Sequence, residues 1–266
     1  MYRFLLTLLL VPALAFSLPQ NAPRPGGIAV IALGDQANRP VVSFNDKPVL
    51  VTRHENNWVA IVGIPLEAAA GRASIAVDGR PQPFEIAPHR YREQHLTVAP
   101  SYVNPDPVAI ERIGRESALI AAAIATQSAA APATVQLQAP IAGKRSDSFG
   151  SRRFFNKEPR SPHRGMDIAG PAGTAIHAPL AGKVILTGNF YFTGNAVFLD
   201  HGAGLITLYA HLHSIAVETG DTVKTGQLLG EVGATGRVTG AHLHFATYLN
   251  GTPVDPALLL VSPEPR

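Results

Sequence analysis

The sequence contains no cysteine among its 266 residues, which excludes disulfide bonds and metal sites built on thiolates. Only 15% of the residues are charged and 46% are hydrophobic, a balance typical of a globular chain and not of a disordered one. The formal net charge of +3 is too small to indicate a nucleic-acid-binding protein, and we expect no nucleic-acid partner.

Several familiar catalytic signatures are missing as well. The chain has no glycine-rich phosphate-binding loop, no Ser/His/Asp or Cys/His arrangement of a covalent nucleophile, and no helical HExxH metal motif. These absences argue against nucleotide chemistry and against a covalent enzyme intermediate.

Long hydrophobic runs are confined to the start of the chain. A short basic segment, Met1–Arg3, precedes an apolar run that extends to Ala15, and small residues follow. This pattern predicts a secretory signal peptide over residues 1–17, so we expect an exported protein. The run is shorter than the roughly 20 residues of a comfortable membrane span, although an uncleaved anchor is the alternative.

Histidine motifs carry the strongest functional signal. His163 and Asp167 form an HxxxD motif, His242 and His244 form an HxH motif, and His211 lies between them. Two histidines and one carboxylate are a normal ligand set for catalytic zinc, which keeps its fourth position for water. Further histidines can transfer protons near neutral pH. The motifs therefore predict a zinc hydrolase.

Spacing indicates which side chains share a face. His242 and His244 would lie on one face of a strand, because side chains alternate along a strand. Pro162, just before the HxxxD motif, and Gly165, within it, argue against a helix there. Since His211 and His213 form a second HxH, spacing alone leaves that pair as a rival ligand set.

From about Ser148 to Pro256, the chain resembles the M23 (LytM/lysostaphin-type) peptidoglycan endopeptidases. The resemblance depends on the order and spacing of several short motifs. These are Ser148–Arg152, His163–Ile168, Gly173–Thr174 with Ala178–Pro179, Gly182–Val184, Asp200–Gly202, Tyr209–Leu212, Gly220–Gln227, Gly233–Gly236 and Gly240–Phe245.

The resemblance implies a role for each histidine motif. It implies that His163, Asp167 and His244 hold Zn²⁺. It also implies that His211 and His242 are catalytic and share the general-base and transition-state-stabilising roles, with the division between them open. Some family members have lost ligands and act as activators of other enzymes, whereas all five positions are occupied here.

The expected function follows from this resemblance. We expect a secreted zinc metallopeptidase that hydrolyses peptide bonds in peptidoglycan stem-peptide cross-links through activated water. The expected location is the periplasm or cell envelope of a Gram-negative bacterium, and the N-terminal domain could regulate activity within the chain or through a partner. The alternative is a non-enzymatic or self-inhibited LytM-type cell-wall binder or amidase activator.

The rest of the chain predicts a mostly β protein. We expect a small immunoglobulin-like β domain over residues 18–100, a helix and linker over 101–135, a LytM-like β-sheet peptidase domain over 136–258, and a tail over 259–266. The N-terminal domain shows β-rich runs separated by turn pairs at residues 28–31, 41–44, 49–52, 58–62 and 73–77. The peptidase domain shows short strand patterns at residues 181–186, 196–199, 205–209, 228–232 and 243–248.

Three local features complete the prediction. Asp106 and Pro107 read as the N-cap and first residue of an amphipathic helix that runs to about Thr126, with apolar residues that include Ile110. Trp58 is expected in a core.

Residues 144–162 are polar and contain several glycines and prolines, which predicts a long loop at the mouth of a cleft. Nearby aromatic residues could either form a wall of that cleft or pack in the core: Phe154, Phe155, Phe190, Tyr191 and Phe192.

Overall fold

The computed structural model describes residues 18–97, 104–132 and 134–261. The predicted signal peptide lies outside these residues and stays a prediction. The expectation of a mostly β fold is confirmed. The N-terminal half contains β1 (Ile28–Gly34), β2 (Val42–Phe44), β3 (Lys47–Pro48), β4 (Leu50–His54), β5 (Asn57–Gly63), β6 (Gly71–Val77), β7 (Arg80–Ile86) and β8 (Glu93–Leu96), followed by helix α1 (Pro107–Ile124).

The C-terminal half is built from eleven further strands among the described residues. They are β9 (Arg152–Phe155), β10 (Glu158–Arg160), β11 (Met166–Ile168), β12 (Ala175–His177), β13 (Gly182–Phe190), β14 (Gly194–Gly202), β15 (Leu205–Ile215), β16 (Thr222–Val223), β17 (Leu228–Val232), β18 (Leu243–Leu249) and β19 (Thr252–Val254); a short 3₁₀ helix, Pro256–Leu258, follows.

The N-terminal strands form a two-sheet sandwich. One sheet has the order β1-β5-β4 and the other the order β3-β2-β6-β7. Their facing side chains, such as Val62 and Ile75, make a small apolar core. Strand β7 was not predicted, because it contains Pro81 and Pro83. It lies at the edge of its sheet, where proline is tolerated.

Trp58 lies at the rim of this core and not inside it. Its ring packs against the core while remaining half-buried. The indole Nε1 donates to the carbonyl of Gln36 at 2.8 Å, and the Arg53 guanidinium lies 4.6 Å from the ring centroid. The polar edge of the indole therefore stays at the surface, as is common for tryptophan.

Helix α1 begins as the sequence predicts. The Asp106 side chain accepts a hydrogen bond from the Ala109 backbone N–H at 2.7 Å, and Pro107 is the first helical residue. Ile110, one of the apolar residues on which the amphipathic pattern was based, is 58% exposed and lies outside the packed face. The hydrogen bonds that tie α1 to the end of β13 come from Arg112 and Glu116, further along the helix.

The C-terminal domain is organised around an antiparallel sheet with the order β11-β18-β15-β14-β13-β16, and all five strands predicted for this domain are present. Strand β19 extends the sheet from β18, and the β12–β17 pair joins it through β15. Helix α1 covers one face, where Ile120 and Ile124 pack against Phe198 and its neighbours. The opposite face is buried in the main core.

The two halves of the protein share that main core. Ile28 and Ile61 of the sandwich belong to the same buried cluster as Leu249 of β18. At this boundary, Asn250 is 2% exposed; its Oδ1 accepts from the Gly63 N–H at 2.9 Å and its Nδ2 donates to the Gly63 carbonyl at 3.3 Å. The N-terminal domain is therefore packed firmly onto the peptidase domain.

The expectation of a loop over residues 144–162 is wrong in part. The segment contains the β9–β10 hairpin, which turns at Asn156 and Lys157, both with positive φ. Strand β8 pairs in parallel with β9 and makes a three-stranded sheet. Because β8 precedes β9 by more than fifty residues, no local pattern reveals this pairing. Within the described residues, no helix is both long and apolar enough to cross a bilayer.

Candidate metal centre and catalytic cleft

Strands β11 and β18 bring the two principal motifs together. Asp167 lies directly opposite His244 in the antiparallel ladder, with Asp167 Oδ1 3.0 Å from His244 Nδ1. His163 lies in the segment before β11. Its Nε2 is 3.0 Å from His244 Nδ1 and 3.2 Å from Asp167 Oδ1. Three ligand atoms thus face one point.

These distances fit a tetrahedral zinc site. Two ligands bound to zinc at about 2.0–2.1 Å with tetrahedral angles lie about 3.3 Å apart, close to the three separations observed. Two imidazole nitrogens and a carboxylate oxygen are also suitable donors for this ion. Gly165 makes room for the cluster, because a Cβ there would lie 2.6 Å from the His244 ring.

Two serines orient the ligands from behind. His163 Nδ1 lies 2.9 Å from Ser148 Oγ and 3.2 Å from the Ser148 carbonyl. A carbonyl can only accept, so Nδ1 carries the proton and Nε2 is left to face the metal position. Ser146 Oγ lies 2.7 Å from Ser148 Oγ and accepts from the Asp167 N–H at 3.0 Å. These supporting roles were not predicted, because the two serines lie well before the HxxxD motif in sequence and reach it only in the folded chain.

The electrostatics favour the ligand forms of these residues. Burial lowers the pKa of His163 to about 4, so its imidazole is neutral at pH 7. Burial by itself raises the pKa of Asp167, but the close imidazoles of His163 and His244 outweigh it and the net pKa lies well below the usual value. Arg153 Nη2 lies 3.4 Å from Asp167 Oδ2. An ionised carboxylate and a neutral imidazole are the forms that bind metals.

His211 is held in an unusual backbone conformation. Its φ is +66°, a left-handed value that non-glycine residues rarely adopt, and its N–H donates to the Thr193 carbonyl at 2.9 Å. Strain of this kind is concentrated at functional sites. The His211 Nδ1 lies 2.9 Å from the Thr235 carbonyl, so Nδ1 carries the proton and Nε2 is the acceptor. Burial lowers the pKa of His211 to about 3.

His242 lies beside the same cluster of ligand atoms. Its Nδ1 lies 2.9 Å from the Gly240 carbonyl, and its Nε2 lies 3.6 Å from Asp167 Oδ1. The His211 and His242 ring centroids are 5.0 Å apart. The structure therefore brings all five predicted site residues into one place.

The remaining histidines of these motifs lie elsewhere. His213, which together with His211 formed the alternative ligand set in the sequence, is exposed. His201 is buried in the sheet, where Nδ1 lies 2.9 Å from the Ala181 carbonyl and Nε2 lies 2.8 Å from Thr207 Oγ1.

The site opens into a cleft of about 200 Å³. Of the five nearby aromatic residues, Phe155 and Phe192 line this cleft, whereas Phe190 packs in the core under α1. Gln94 and Leu96 of β8 line it as well. One wall therefore comes from the N-terminal half of the chain. The other lining residues are Arg153, Asp167, Thr193, His211, Arg237, Val238, Thr239, His242 and His244.

Comparison with known proteins identifies the family. Residues 161–256 match the model of peptidase family M23, and residues 21–89 match the model of the peptidase family M23 N-terminal domain. A crystal structure described as a peptidase M23 from Pseudomonas aeruginosa is 39% identical in sequence, with a TM-score of 0.77 over 90% of this chain and 95% of that one. The chain belongs to peptidase family M23.

Two other relatives of this M23 peptidase carry more specific names. The peptidoglycan DD-endopeptidase ShyA of Vibrio cholerae is 41% identical over 111 residues, which cover 41% of this chain and 26% of that protein. The DD-carboxypeptidase/endopeptidase Mpg of Neisseria meningitidis is 43% identical over 120 residues, which cover 45% of this chain and 28% of that protein. The aligned regions thus span about a quarter of each relative.

Proposed function

We propose that this M23 peptidase is a zinc metalloendopeptidase that hydrolyses peptide bonds in the stem-peptide cross-links of peptidoglycan. The observation that carries the proposal is the convergence of His163, Asp167 and His244 within 3.2 Å of one another, with His211 and His242 beside them. The relatives named as peptidoglycan DD-endopeptidases support the substrate class. A site of action in the bacterial envelope follows from that substrate.

The metal ligands would be His163 Nε2, Asp167 Oδ1 and His244 Nδ1. A zinc ion held there supplies a Lewis acid that polarises the scissile carbonyl and activates water at neutral pH. Ser148 fixes the ring of His163 through Nδ1, and Gly165 lets the backbone approach the ring of His244. The protein therefore contributes three ligand side chains whose positions are fixed before the metal binds.

His211 and His242 would handle protons. Each is held through Nδ1 by a backbone carbonyl, which leaves Nε2 as the acceptor. One imidazole would accept a proton from the attacking water, and the other, once protonated, would stabilise the developing oxyanion or donate to the leaving amine. Both rings line the same cleft as Asp167, so either can reach the reacting atoms.

The N-terminal region would influence this activity through β8. Gln94 Oε1 accepts a hydrogen bond from Arg153 Nε at 3.0 Å, and Arg153 in turn contacts Asp167. A change in the position of β8 would thus reach the metal ligands through one intervening side chain. This contact is a physical route for regulation within the chain.

Digestion of purified peptidoglycan tests the proposal. The protein is incubated with the polymer, with and without a chelator, and the products are read by mass spectrometry. Loss of cross-linked dimers that the chelator prevents, and that added zinc restores, is the expected result. A protein that holds about one zinc ion and yet releases no peptide would contradict the enzymatic proposal and favour a non-enzymatic binder.

A further inference from the structure

The cleft contains a second feature that the metal site does not explain. The Arg237 guanidinium carbon lies 4.7 Å from the ring centroid of Phe155 and 4.3 Å from that of Phe192. The two aromatic residues come from different elements, β9 and the turn after β13. All three side chains line the same small cleft as His211 and His242.

The backbone also fixes the position of Arg237. Its N–H donates to the Phe192 carbonyl at 2.9 Å. The preceding Gly236 has φ +76°, and a Cβ at that position would lie 2.4 Å from the Gly194 nitrogen. The arginine is therefore anchored at its backbone and held at its guanidinium by two aromatic rings. Cation–π contacts of this kind restrict an otherwise flexible side chain.

The charge of the cleft points to an anionic ligand. Among the described residues that line it, Asp167 supplies the one carboxylate, whereas Arg153 and Arg237 supply two guanidinium groups. Arg153 is directed to Asp167 and Gln94. A divalent metal held by the three proposed ligands would make the cleft more positive still. Guanidinium groups recognise carboxylates with good geometry.

On the basis of the proposed peptidase function, we propose that Arg237 binds a free carboxylate of the substrate, on the residue whose nitrogen is released by cleavage. A carboxypeptidase releases a residue that has a free carboxylate, and a cross-link formed on a side-chain amine can leave a carboxylate beside the scissile nitrogen in the same way. The relative named as a DD-carboxypeptidase/endopeptidase fits this common requirement. Arg237 is then a specificity-determining residue that selects substrates with a carboxylate on the amine side of the scissile bond.

A pair of matched peptides tests this role. Both contain the same D,D-bond, but one has a free carboxylate on the amine-side residue and the other has a carboxamide. The wild-type protein should cleave the carboxylate peptide with a kcat/KM about 10- to 100-fold higher, the range expected for a hydrogen bond between charged groups. The Arg237→Gln variant should lose this preference by slowing on the carboxylate peptide, with little change on the carboxamide peptide.

Controls separate this role from a structural one. Arg152→Gln removes an exposed arginine of β9 that does not line the cleft, and it should leave the preference intact. In Arg237→Gln, the zinc content should be unchanged, and the melting temperature should fall only slightly because two cation–π contacts are lost. In the metal-free protein, an NMR titration should still show weaker binding of the carboxylate peptide to this variant.

The outcomes also distinguish the two proposals. Equal cleavage of both peptides by the wild-type protein, or an equal loss on both in Arg237→Gln, would overturn the role of Arg237 and leave the peptidase function standing. Failure of the zinc-loaded wild-type protein to cleave either peptide or peptidoglycan would overturn the proposed function itself.

Discussion

Asp167 and His244 face each other across the β11–β18 ladder, so the backbone hydrogen bonds of a sheet set the distance between two of the proposed metal ligands. Ligands on paired strands are held more precisely than ligands on loops. His163, the third ligand, lies outside the ladder and depends on Ser148 for its orientation. This difference has consequences that can be measured.

Substitution of a ligand and of a catalytic histidine should have separable effects. His163→Ala should abolish both zinc binding and turnover. His211→Ala should retain zinc but lower kcat by about 10²- to 10⁴-fold, the range for general acid–base catalysis. His213→Ala is the matched control, because His213 is exposed and two residues away in the same strand. Metal analysis and peptidoglycan digestion give both readouts, and full zinc with normal turnover in His163→Ala would falsify the ligand assignment.

Loss of the serine behind His163 should weaken zinc binding without abolishing it. Ser148→Ala removes the Oγ that lies 2.9 Å from His163 Nδ1. Substitutions of such supporting partners typically weaken metal affinity by about 10- to 100-fold. Competition with a chelator of known affinity measures the change, and the exposed Ser161→Ala is the control. Equal zinc affinity in wild type and Ser148→Ala would show that the carbonyl of Ser148 alone is enough to orient the His163 ring.

The contact between the two domains should contribute to the stability of the whole protein. Asn250→Gly tolerates the positive φ at this position but removes both side-chain hydrogen bonds to Gly63. An unsatisfied buried group destabilises by about 1–3 kcal/mol, and each kcal/mol lowers the melting temperature by about 2–4 °C in a chain of this size class. Calorimetry should show one transition, shifted downward.

Asn45→Gly is the control for that experiment, because Asn45 also has a positive φ but is exposed in a turn of the sandwich. It should change the melting temperature little. A separate early transition of the N-terminal domain in the wild-type protein would contradict the shared core.

His201 should make stability depend on pH. Burial lowers its pKa from 6.5 to about 4 in the folded protein. Between these pH values His201 is protonated in the unfolded chain but stays neutral in the folded protein. The free energy of unfolding should therefore fall as pH falls from 6.5 toward 4. The change is on the order of a few kcal/mol. Urea denaturation at pH 7 and pH 4.5 measures how much the free energy of unfolding falls between these pH values. This fall should be smaller in His201→Gln than in wild type or in His213→Gln. An identical difference in all three would assign the acid sensitivity to other groups.

Much of this architecture is predictable from local sequence. Asp106 and Pro107 mark the start of α1 because an N-cap and a first-turn proline act within a few residues. The motifs of the peptidase domain also give the five site residues that the fold brings together. Strand β7 was missed because its edge position, which tolerates Pro81 and Pro83, depends on the whole sheet.

Other features of the site could not have been predicted locally. The left-handed backbone of His211 depends on a hydrogen bond to Thr193, on a different strand connection. The pairing of β8 with β9 joins segments that lie more than fifty residues apart in the sequence. The enclosure of Arg237 by Phe155 and Phe192 likewise arises only when separate elements meet. Each of these depends on tertiary contacts.

The parallel pairing of β8 with β9 also limits how such proteins can be recombined. A chimaera that took only the peptidase domain from a relative would inherit the histidine motifs together with a foreign cleft wall. The side chains of Gln94 and Leu96 would then meet a hairpin that had diverged without them. Exchange of modules between relatives should therefore succeed only when β8 and β9 are transferred as a pair.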